Sequence, residues 1–400
     1  MVGALKATTE EWIGNIPESW DIERMRYSLK EINIKNSPVK TEQILSLVKD
    51  KGVMLYEEKG DVGNKAKEDI TGYKVAFPNT LIVNSMNILI GSVGISKYKG
   101  CVSPVYYVFR EKDNSDLRFV NYIFNTREFQ KELRKYANGI LEIRLRVSAT
   151  DIFNRKIPLP PKEEQIKIAD FLDEKCAEID NLSEDIQKQI DILNDYKKSV
   201  ITRAVTKGLD PNAEMKDSGV QWIGKIPEKW TVIPVKYCFD IENGSDPKTD
   251  YGDTPVYGSG SKSFKKCVEF KKGPTVLLGR KGTVNIPQYV TGNYWNVDTA
   301  FNTKPKGNYD LKLFYYAACS FDYENYSTQT ALPSMTQSNY YNFKLPLMSQ
   351  DEQEQIVTFL DDKCTEIDES INSKQGQIIK LDTYKKSIIY EYVTGKKRVV

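Results

Sequence analysis

Basic side chains are concentrated in one stretch of the sequence, where they could bind a polyanion. Seven lysines and arginines stand against one acidic residue between positions 262 and 281, which gives a local net charge of +6. Such cations donate hydrogen bonds either to guanine edges or to phosphates, and the sequence leaves that choice open. The alternative is a solvated charged face. The candidate residues of this surface, with the polar turn before it, are Tyr257, Ser259, Ser261, Lys262, Arg280 and Lys281.

A second group of candidates lies in the first half of the chain. Lys97, Tyr98 and Lys99 stand between GIS and GCVSP, where we predict a hairpin loop. Arg144 and Arg146 alternate in LEIRLRVS, so a strand would place both on one face and offer paired donors. Ordinary turn chemistry and ordinary surface charge are the alternatives for these two groups.

No residue pattern in the sequence supplies a catalytic centre. There is no histidine, and the six cysteines form no Cys-x-x-Cys pair, which removes most zinc sites and any histidine general base. The only Pro-Pro pair precedes Lys162 rather than an aromatic residue, so the element that holds a target amine in adenine methyltransferases is absent. A G-x-x-x-x-G-K-[ST] phosphate loop is missing, and Glu269-Phe270-Lys271 has no Pro-Asp before it at nuclease spacing. We therefore predict no catalytic, cofactor-binding or metal-binding residues.

An internal duplication organises the chain. WIGNIPESW near the start returns as WIGKIPEKW with an offset of 210 residues. Residues 158–206 align without a gap with 346–394, with 24 identities in 49 positions. Between these shared blocks lie two variable stretches, about 21–157 and 231–345, that are much less alike. The order is therefore variable, shared, variable, shared.

The shared blocks are predicted to be long helices. Apolar residues recur in each at steps of three and four, and one such stripe per helix is typical of a coiled coil. The first helix should run from about 162 to Lys207, where Gly208 ends it, over roughly 65 Å. The predicted stripes are Leu172, Cys176, Ile179, Leu182, Ile186, Ile190, Leu193, Tyr196 and Val200, and Leu360, Cys364, Ile367, Ile371, Ile378, Leu381, Tyr384 and Ile388.

The variable stretches are predicted to be mixed α/β with many short strands. The first contains ILSLV, TLIV, NILIG and VYYVF, and the second contains TPVYGSGS, TVLLG and IPQYV, punctuated by Gly, Pro or Asn. Each continues into a helix, beginning at Asp116-Leu117 and Asp310-Leu311. The four tryptophans of the repeated WIG segments belong to the shared part, so we assign them to packing rather than to base stacking.

Composition and charge distribution limit the class of protein. The 400 residues, 40% hydrophobic and 28% charged, indicate several folded domains. No apolar run of about 18 residues and no signal core occur, so we expect a cytoplasmic protein. The segment 131–156 has seven basic and three acidic residues, a net +4, whereas 162–207 has eight basic and eleven acidic, a net −3. Basic domains suit phosphates, and a mildly acidic helix suits a protein partner.

These strings, in this order and in duplicate, resemble the specificity (HsdS) subunit of type I restriction-modification systems over essentially the whole chain. The most specific pieces are WIGxIPExW before each variable stretch, GISKYKGCVSPVYYVF at 94–109, PVYGSGS with GPTVLLGRKGTV at 255–284, and IPLPPKEEQIKIADFLD at 157–173. The resemblance implies an α/β (α+β) fold with a pseudo-twofold internal repeat, in which two target recognition domains are separated by two long antiparallel coiled-coil helices.

The same resemblance implies domain boundaries. We call residues 1–157 the first domain and residues 209–345, which include a linker, the second domain. The first conserved helix would occupy 158–208, and the second helix with its tail would occupy 346–400. Each domain would read one half of a bipartite DNA target.

The resemblance also implies partners and a division of labour. The helices would dock two modification (HsdM) subunits, and restriction (HsdR) subunits would join the complex. S-adenosylmethionine, ATP and Mg would then belong to those partners, and this chain would not be an enzyme. Two alternatives stay open: a DNA-binding coiled-coil scaffold of a methylation-only system, and an autonomous DNA-modifying enzyme, which the missing motifs disfavour.

Overall fold

Two units make up the chain. The computed structural model describes residues 4–49, 51–60, 65–139, 145–260, 262–328 and 332–399. The first unit comprises residues 1–185 and 377–400, and the second comprises residues 186–376. Both divisions fall inside long helices, so each unit contains one variable stretch and a segment of each helix.

The first unit is built from short strands followed by helices. Its helices are α1 (Leu117–Phe124), α2 (Arg127–Arg134), α3 (Ala149–Asn154) and the beginning of α4 (Lys162–Lys207). Its strands are β1 (Leu5–Ala7), β2 (Asn15–Pro17), β3 (Asp21–Arg24), β4 (Leu29–Glu31), β5 (Leu45–Val48), β6 (Gly52–Leu55), β7 (Lys74–Ala76), β8 (Leu81–Asn84), β9 (Val93–Ile95), β10 (Gly100–Val102), β11 (Tyr106–Glu111) and β12 (Lys156–Leu159).

The second unit repeats this order with local changes. Its strands are β13 (Met215–Asp217), β14 (Lys225–Pro227), β15 (Thr231–Pro234), β16 (Phe239–Asn243), β17 (Thr254–Tyr257), β18 (Lys265–Cys267), β19 (Lys271–Lys272), β20 (Thr275–Gly279), β21 (Gln288–Val290), β22 (Asn293–Asn296), β23 (Ala300–Pro305) and β24 (Lys344–Leu347). Its helices are α5 (Leu311–Ala318), α6 (Gln337–Asn342) and most of α7 (Gln350–Val393).

The same four-stranded antiparallel sheet lies in each unit. Its strand order is β4-β11-β8-β9 in the first unit and β16-β23-β20-β21 in the second. After this sheet comes a helix capped in the same way in both units. The Asp116 carboxylate accepts the amides of residues 118 and 119, and the Asp310 carboxylate accepts those of residues 312 and 313. Aspartate at this position satisfies amides that have no partner inside the helix, which explains why both predicted helix starts are confirmed.

The long helices pack antiparallel inside each unit. In the first unit, Phe171 of α4 lies 4.5 Å, ring centre to ring centre, from Tyr392 of α7, and the Lys385 ammonium is 2.6 Å from the Asp180 carboxylate. Residue numbers therefore rise on one helix as they fall on the other. In the second unit Lys197 pairs with Asp368 at 2.6 Å and the Lys374 ammonium donates to the Gln189 side-chain oxygen at 2.5 Å, so the helices are antiparallel there as well. The predicted bounds of α4 are confirmed, and no described helix is long and apolar enough to cross a membrane.

Most residues of the two predicted apolar stripes are buried or half-buried, but three are exposed. Cys176 and Cys364 are buried as small core residues, as expected. Leu182, Tyr196 and Tyr384, however, are 50%, 54% and 53% exposed, so their assignment to the seam was wrong. Because an α-helix advances 3.6 residues per turn, a stripe followed over many turns drifts from a fixed line on its surface.

Each variable stretch is attached to its long helix by repeated hydrogen bonds. In the first unit the Trp20 indole donates to the Glu164 carboxylate at 3.1 Å, and in the second the Trp230 indole donates to Glu352 at 3.0 Å. Trp20 and Trp230 are fully buried, which supports their assignment to packing. The Tyr122 hydroxyl donates to the Asp173 carboxylate at 2.6 Å. Its counterparts, Tyr316 and Asp361, are also 2.6 Å apart.

A buried glutamine completes each attachment. Gln165 accepts the Asp116 amide at 2.9 Å and donates to the carbonyls of Asn114 and Pro160 at 3.0 and 2.8 Å. Its counterpart Gln353 accepts the amide of Asp310 at 2.7 Å and donates to Met348 at 3.3 Å. The helix start and the long helix are therefore joined through one side chain in both units.

One predicted strand is absent. NILIG forms a 3-10 helix, Ile88–Ile90, rather than a strand, and Gly91 ends it in the left-handed region with φ of 82°. The chain turns just before this segment, because the Asn84 side-chain oxygen accepts the Met86 amide at 3.1 Å. A short apolar run does not itself distinguish a strand from a helical turn.

Candidate nucleic-acid interface

The loop between β20 and β21 presents Arg280 and Lys281 on a fixed backbone. The amides of both residues donate to the Thr299 carbonyl, at 2.8 and 3.3 Å, and the Arg280 carbonyl accepts the Met335 amide at 2.9 Å. Hydrogen bonds on two sides therefore hold this segment against the rest of the second domain.

Two glycines permit the shape of this loop. A Cβ on Gly279 would lie 2.4 Å from the Thr283 carbonyl oxygen, which is closer than any side chain can approach. Gly282 has φ of +81°, in the left-handed region that favours glycine. The backbone of this loop therefore requires glycine on both sides of the Arg280–Lys281 pair.

The two cations differ in their surroundings. The half-buried Arg280 guanidinium donates to the Asp298 carbonyl at 3.2 Å and lies 6.0 Å from the centre of the Phe301 ring. Lys281 is exposed. Among the residues that the structure describes, this one hydrogen bond orients Arg280 and leaves its other donors available, whereas Lys281 can reach a range of acceptors.

The predicted polar turn lies beside this loop. The Tyr257 carbonyl accepts the Val297 amide at 2.9 Å, and Ser259 Oγ is 3.5 Å from the position that a Cβ on Gly282 would occupy. The structure thus brings Ser259 to the Arg280 loop and places Tyr257 at the end of the adjoining strand β17. Lys262 is exposed a few residues further along, and Ser261 lies outside the described residues.

One lysine of the basic stretch does not contribute a free surface charge. The Lys271 ammonium donates to the side-chain oxygens of Asn296 and Asn302, at 2.8 Å each. Burial lowers the pKa of this ammonium. Asn302 in turn donates to the Glu242 carboxylate at 3.0 Å, so Lys271 belongs to a network that ties strands together. The sequence-based net charge of +6 therefore overstates the charge available at the surface.

The segment Lys97–Lys99 is a loop, but the predicted hairpin is wrong. The strands on its two sides belong to different sheets, since β9 pairs with β8 and β10 pairs with β7. Lys97 and Lys99 are exposed, whereas Tyr98 is half-buried and packs on a small apolar cluster. The Tyr98 amide donates to Ser96 Oγ at 3.1 Å, which fixes the turn locally.

Arg146 lies in a different place from the lysines. It forms an isolated backbone bridge with Asn138, its side chain is exposed, and Arg144 lies outside the described residues. The next amide, of Val147, donates to the Ser85 carbonyl at 3.1 Å. Arg146 is therefore beside the loop that joins β8 to β9, whereas Lys97–Lys99 follows the far end of β9.

Sequence reasoning missed two exposed residues of that β8–β9 loop, Met86 and Asn87. A search for charge passes over both of them. A comparison of TLIVNSMN, beginning at Thr80, with TVLLGRKG, beginning at Thr275, could have found them, because it aligns Met86 with Lys281. The structure supports this alignment, since the Val147 bond to Ser85 and the Met335 bond to Arg280 are equivalent.

Comparisons with known proteins agree with this duplicated architecture. The family described as type I restriction modification DNA specificity domain matches residues 25–191 and again residues 227–395. A Methanocaldococcus jannaschii protein assigned as the MjaX type I restriction enzyme specificity subunit is 25% identical over 419 residues, covering 97% of this chain and 96% of that protein. The MjaVIII specificity subunit of the same organism is 29% identical over 238 residues, 57% of this chain and 51% of that protein.

A solved structure shares the fold. It is described as showing complex assembly and conformational transition of a type I R-M system. One of its chains is 14% identical and has a TM-score of 0.72 over 96% of this chain and 99% of that chain. The two family matches cover most of the sequence, one in each half of the repeat. The chain therefore belongs to the family of type I restriction-modification DNA specificity subunits and contains two specificity domains.

Proposed function

We propose that each specificity domain of this chain binds one half of a bipartite DNA target, so that the chain selects the site at which a type I restriction-modification enzyme acts. The observation that carries this proposal is the duplicated match to a DNA specificity domain, 25–191 and 227–395, with an exposed basic segment in each half. Basic side chains on domains of this kind bind phosphates and base edges.

Individual roles follow from position. Arg280, Lys281, Ser259 and Tyr257 would contact DNA from the second domain, together with Lys262 and Ser261. In the first domain Arg146 would contact DNA beside the β8–β9 loop, with Arg144 near it in sequence. Lys97 and Lys99, with Tyr98 between them, would contact phosphates at the other end of the sheet.

The long helices would serve protein partners. They expose apolar side chains that no described part of the chain covers, and such residues mark protein contact surfaces. Two modification subunits would dock there, restriction subunits would join them, and S-adenosylmethionine, ATP and Mg would be bound by those partners. This chain would then contribute no catalytic residue. The large apolar residues of the helices that are at least half exposed are Leu182, Ile192, Tyr196, Ile379 and Tyr384.

The proposal is tested by expressing the chain with the modification subunit encoded beside it and sequencing the host DNA at single-molecule resolution for N6-methyladenine. The expected result is a split motif, methylated on both strands, that is absent when this chain is omitted. Methylation that ignores this chain, or that marks one continuous short motif, would contradict the proposal. Measuring partner stoichiometry in the purified complex then separates a full restriction enzyme from a methylation-only scaffold.

A further inference from the structure

We propose that Met86 and Asn87, in the loop between β8 and β9, read an A·T base pair in the first half-site, whereas Arg280 reads a guanine from the equivalent loop of the second domain. This inference rests on the proposed DNA-reading function and extends it by assigning a class of base pair to each domain. None of the sequence motifs pointed to Met86 or Asn87.

The two loops occupy the same place in the fold. β8 lies between β11 and β9, and β20 lies between β23 and β21. Asn84 at the end of β8 pairs with Tyr106 at the start of β11, and Gly279 at the end of β20 pairs with Ala300 at the start of β23. The chain then leaves the sheet in both domains, so Ser85 and Met86 correspond to Arg280 and Lys281.

The backbone of the first-domain loop is also fixed. The Asn84 side-chain oxygen accepts the Met86 amide, and the Asn84 carbonyl accepts the Asn87 amide, both at 3.1 Å. The Asn87 carbonyl accepts the amides of Ile90 and Ser92, each at 3.1 Å. These bonds use only the backbone of Asn87. Its exposed carboxamide has no hydrogen-bond partner among the residues that the structure describes.

The loop borders a cleft in which a base edge could lie. The cleft has a volume of about 650 Å³, and Met86 and Asn87 form part of its wall with Ser46, Lys65 and Tyr106. Met86 is 39% exposed there. The β8–β9 loop itself therefore presents a carboxamide and a thioether to this cleft, whose lysines come from other segments.

The chemistry of the two loops selects different bases. An asparagine carboxamide matches N6 and N7 of adenine with two hydrogen bonds, and an apolar group packs on the methyl of the paired thymine. An arginine matches O6 and N7 of guanine. At the position of Arg280 the first domain has Ser85, which is buried and donates its hydroxyl to the Val105 carbonyl at 2.6 Å. The guanine-reading group of the second domain therefore has no counterpart in this loop.

One cation of the first domain is brought beside this loop by another segment of the chain. Arg146 occupies the position that Ser334 has in the second domain, as the equivalent bonds of the following residues, Val147 and Met335, show. Both loops therefore have a cation near them. In the second domain the cation belongs to the loop, whereas in the first domain the loop presents Met86 and Asn87 and the cation is Arg146. This arrangement favours a phosphate or a neighbouring base as the partner of Arg146.

The test compares methylated motifs of variants co-expressed with the modification subunit. Asn87→Ala should relax one A·T position in one half-site, lowering discrimination there by roughly 10- to 100-fold. Arg280→Ala should relax one G·C position in the other half-site by a similar factor. Asn114→Ala is the matched control, because Asn114 is an exposed asparagine of the same domain whose backbone carbonyl, not its side chain, contacts Gln165.

The outcomes separate the inference from the function on which it rests. If the unmodified chain directs no split methylation, the proposed function fails. If it does, but Asn87→Ala and Met86→Ala leave both half-sites unchanged, relax a G·C position, or act in the same half-site as Arg280→Ala, the inference is overturned and the function stands.

A variant that no longer supports methylation is still informative. Its purified complex is titrated with duplexes that carry the unmodified motif or one changed base pair. Loss of discrimination at a single A·T position supports the inference, and discrimination kept at every position overturns it.

Discussion

The four-stranded sheets β4-β11-β8-β9 and β16-β23-β20-β21 have the same strand order, whereas the loops that leave β8 and β20 differ in nearly every residue. Gly279 ends β20 because the loop leaves no room for a Cβ, but Asn84 ends β8 and uses its side chain to close the turn. The strand pairing and the buried side chains that hold the sheet together are therefore shared by the two halves of the repeat. The groups that we propose to contact DNA lie in the loops, whose residues differ between the two halves of the repeat.

The largest expected effect is on the loop that needs glycine. Gly279→Ala should destabilise the second unit by about 3 kcal/mol or more, because its Cβ meets the Thr283 carbonyl, and overpacking of this kind is costly. Unfolding followed by amide hydrogen exchange in each unit measures this. Asn84→Ala is the matched variant in the first unit and should cost about 1 kcal/mol, since it removes one hydrogen bond. Equal losses in the free energy of unfolding would show that the two loops do not depend on different residues for their shape.

The attachments of the domains to the helices should show a smaller difference. Gln165→Ala removes three hydrogen bonds to backbone groups, and Gln353→Ala removes two, one of them buried in each case. We expect losses of about 3 and about 2 kcal/mol, each confined to its own unit. Chemical denaturation with hydrogen exchange resolved by unit is the measurement. A larger loss for Gln353→Ala would contradict this ranking.

The tyrosine–aspartate contacts should be equivalent. Burial and the hydrogen bond to a carboxylate raise the pKa of both Tyr122 and Tyr316. Tyr122→Phe and Tyr316→Phe should each cost about 2 kcal/mol, because each removes one hydrogen bond to a carboxylate while the ring stays packed. Thermal unfolding of the two variants checks this. A clear difference between them would show that the frame is less symmetric than its hydrogen bonds indicate.

The smallest effect concerns the lysines at the far end of the first sheet. Lys97→Ala with Lys99→Ala should weaken DNA binding at all sequences alike and reduce the salt dependence of the affinity by about one contact per lysine. The methylated motif should stay unchanged. The measurement is a titration of specific and unrelated duplexes at several salt concentrations. A changed half-site would show instead that these lysines contact bases.

Sequence reasoning succeeded where the signal is local or repeated. The bounds of α4, the capped starts at Asp116 and Asp310, and the strands at Leu81–Asn84 and Thr275–Gly279 all follow from periodicity and capping residues. It failed where the answer depends on distant partners. The hairpin at Lys97–Lys99 failed because strand pairing is non-local.

The candidate site shows the same limit. Lys271 looks like a surface cation in the sequence, but Asn296 and Asn302, more than twenty residues away, hold it inside a network. Arg280 and Lys281 could be proposed from the sequence because charge is visible there. Met86 and Asn87 carry no charge, so they became candidates only once their loop was matched to the loop of Arg280 and Lys281.

The division of the chain has a consequence for its synthesis on the ribosome. The core of the first unit contains Trp20 from the start of the chain and Ile388, Ile389 and Val393 from α7. The second unit is one continuous stretch, 186–376, and emerges before those residues are made. The domain that is translated first is therefore completed last. A product truncated before residue 377 would have one finished unit and would leave the apolar residues of the other open to chaperones and proteases.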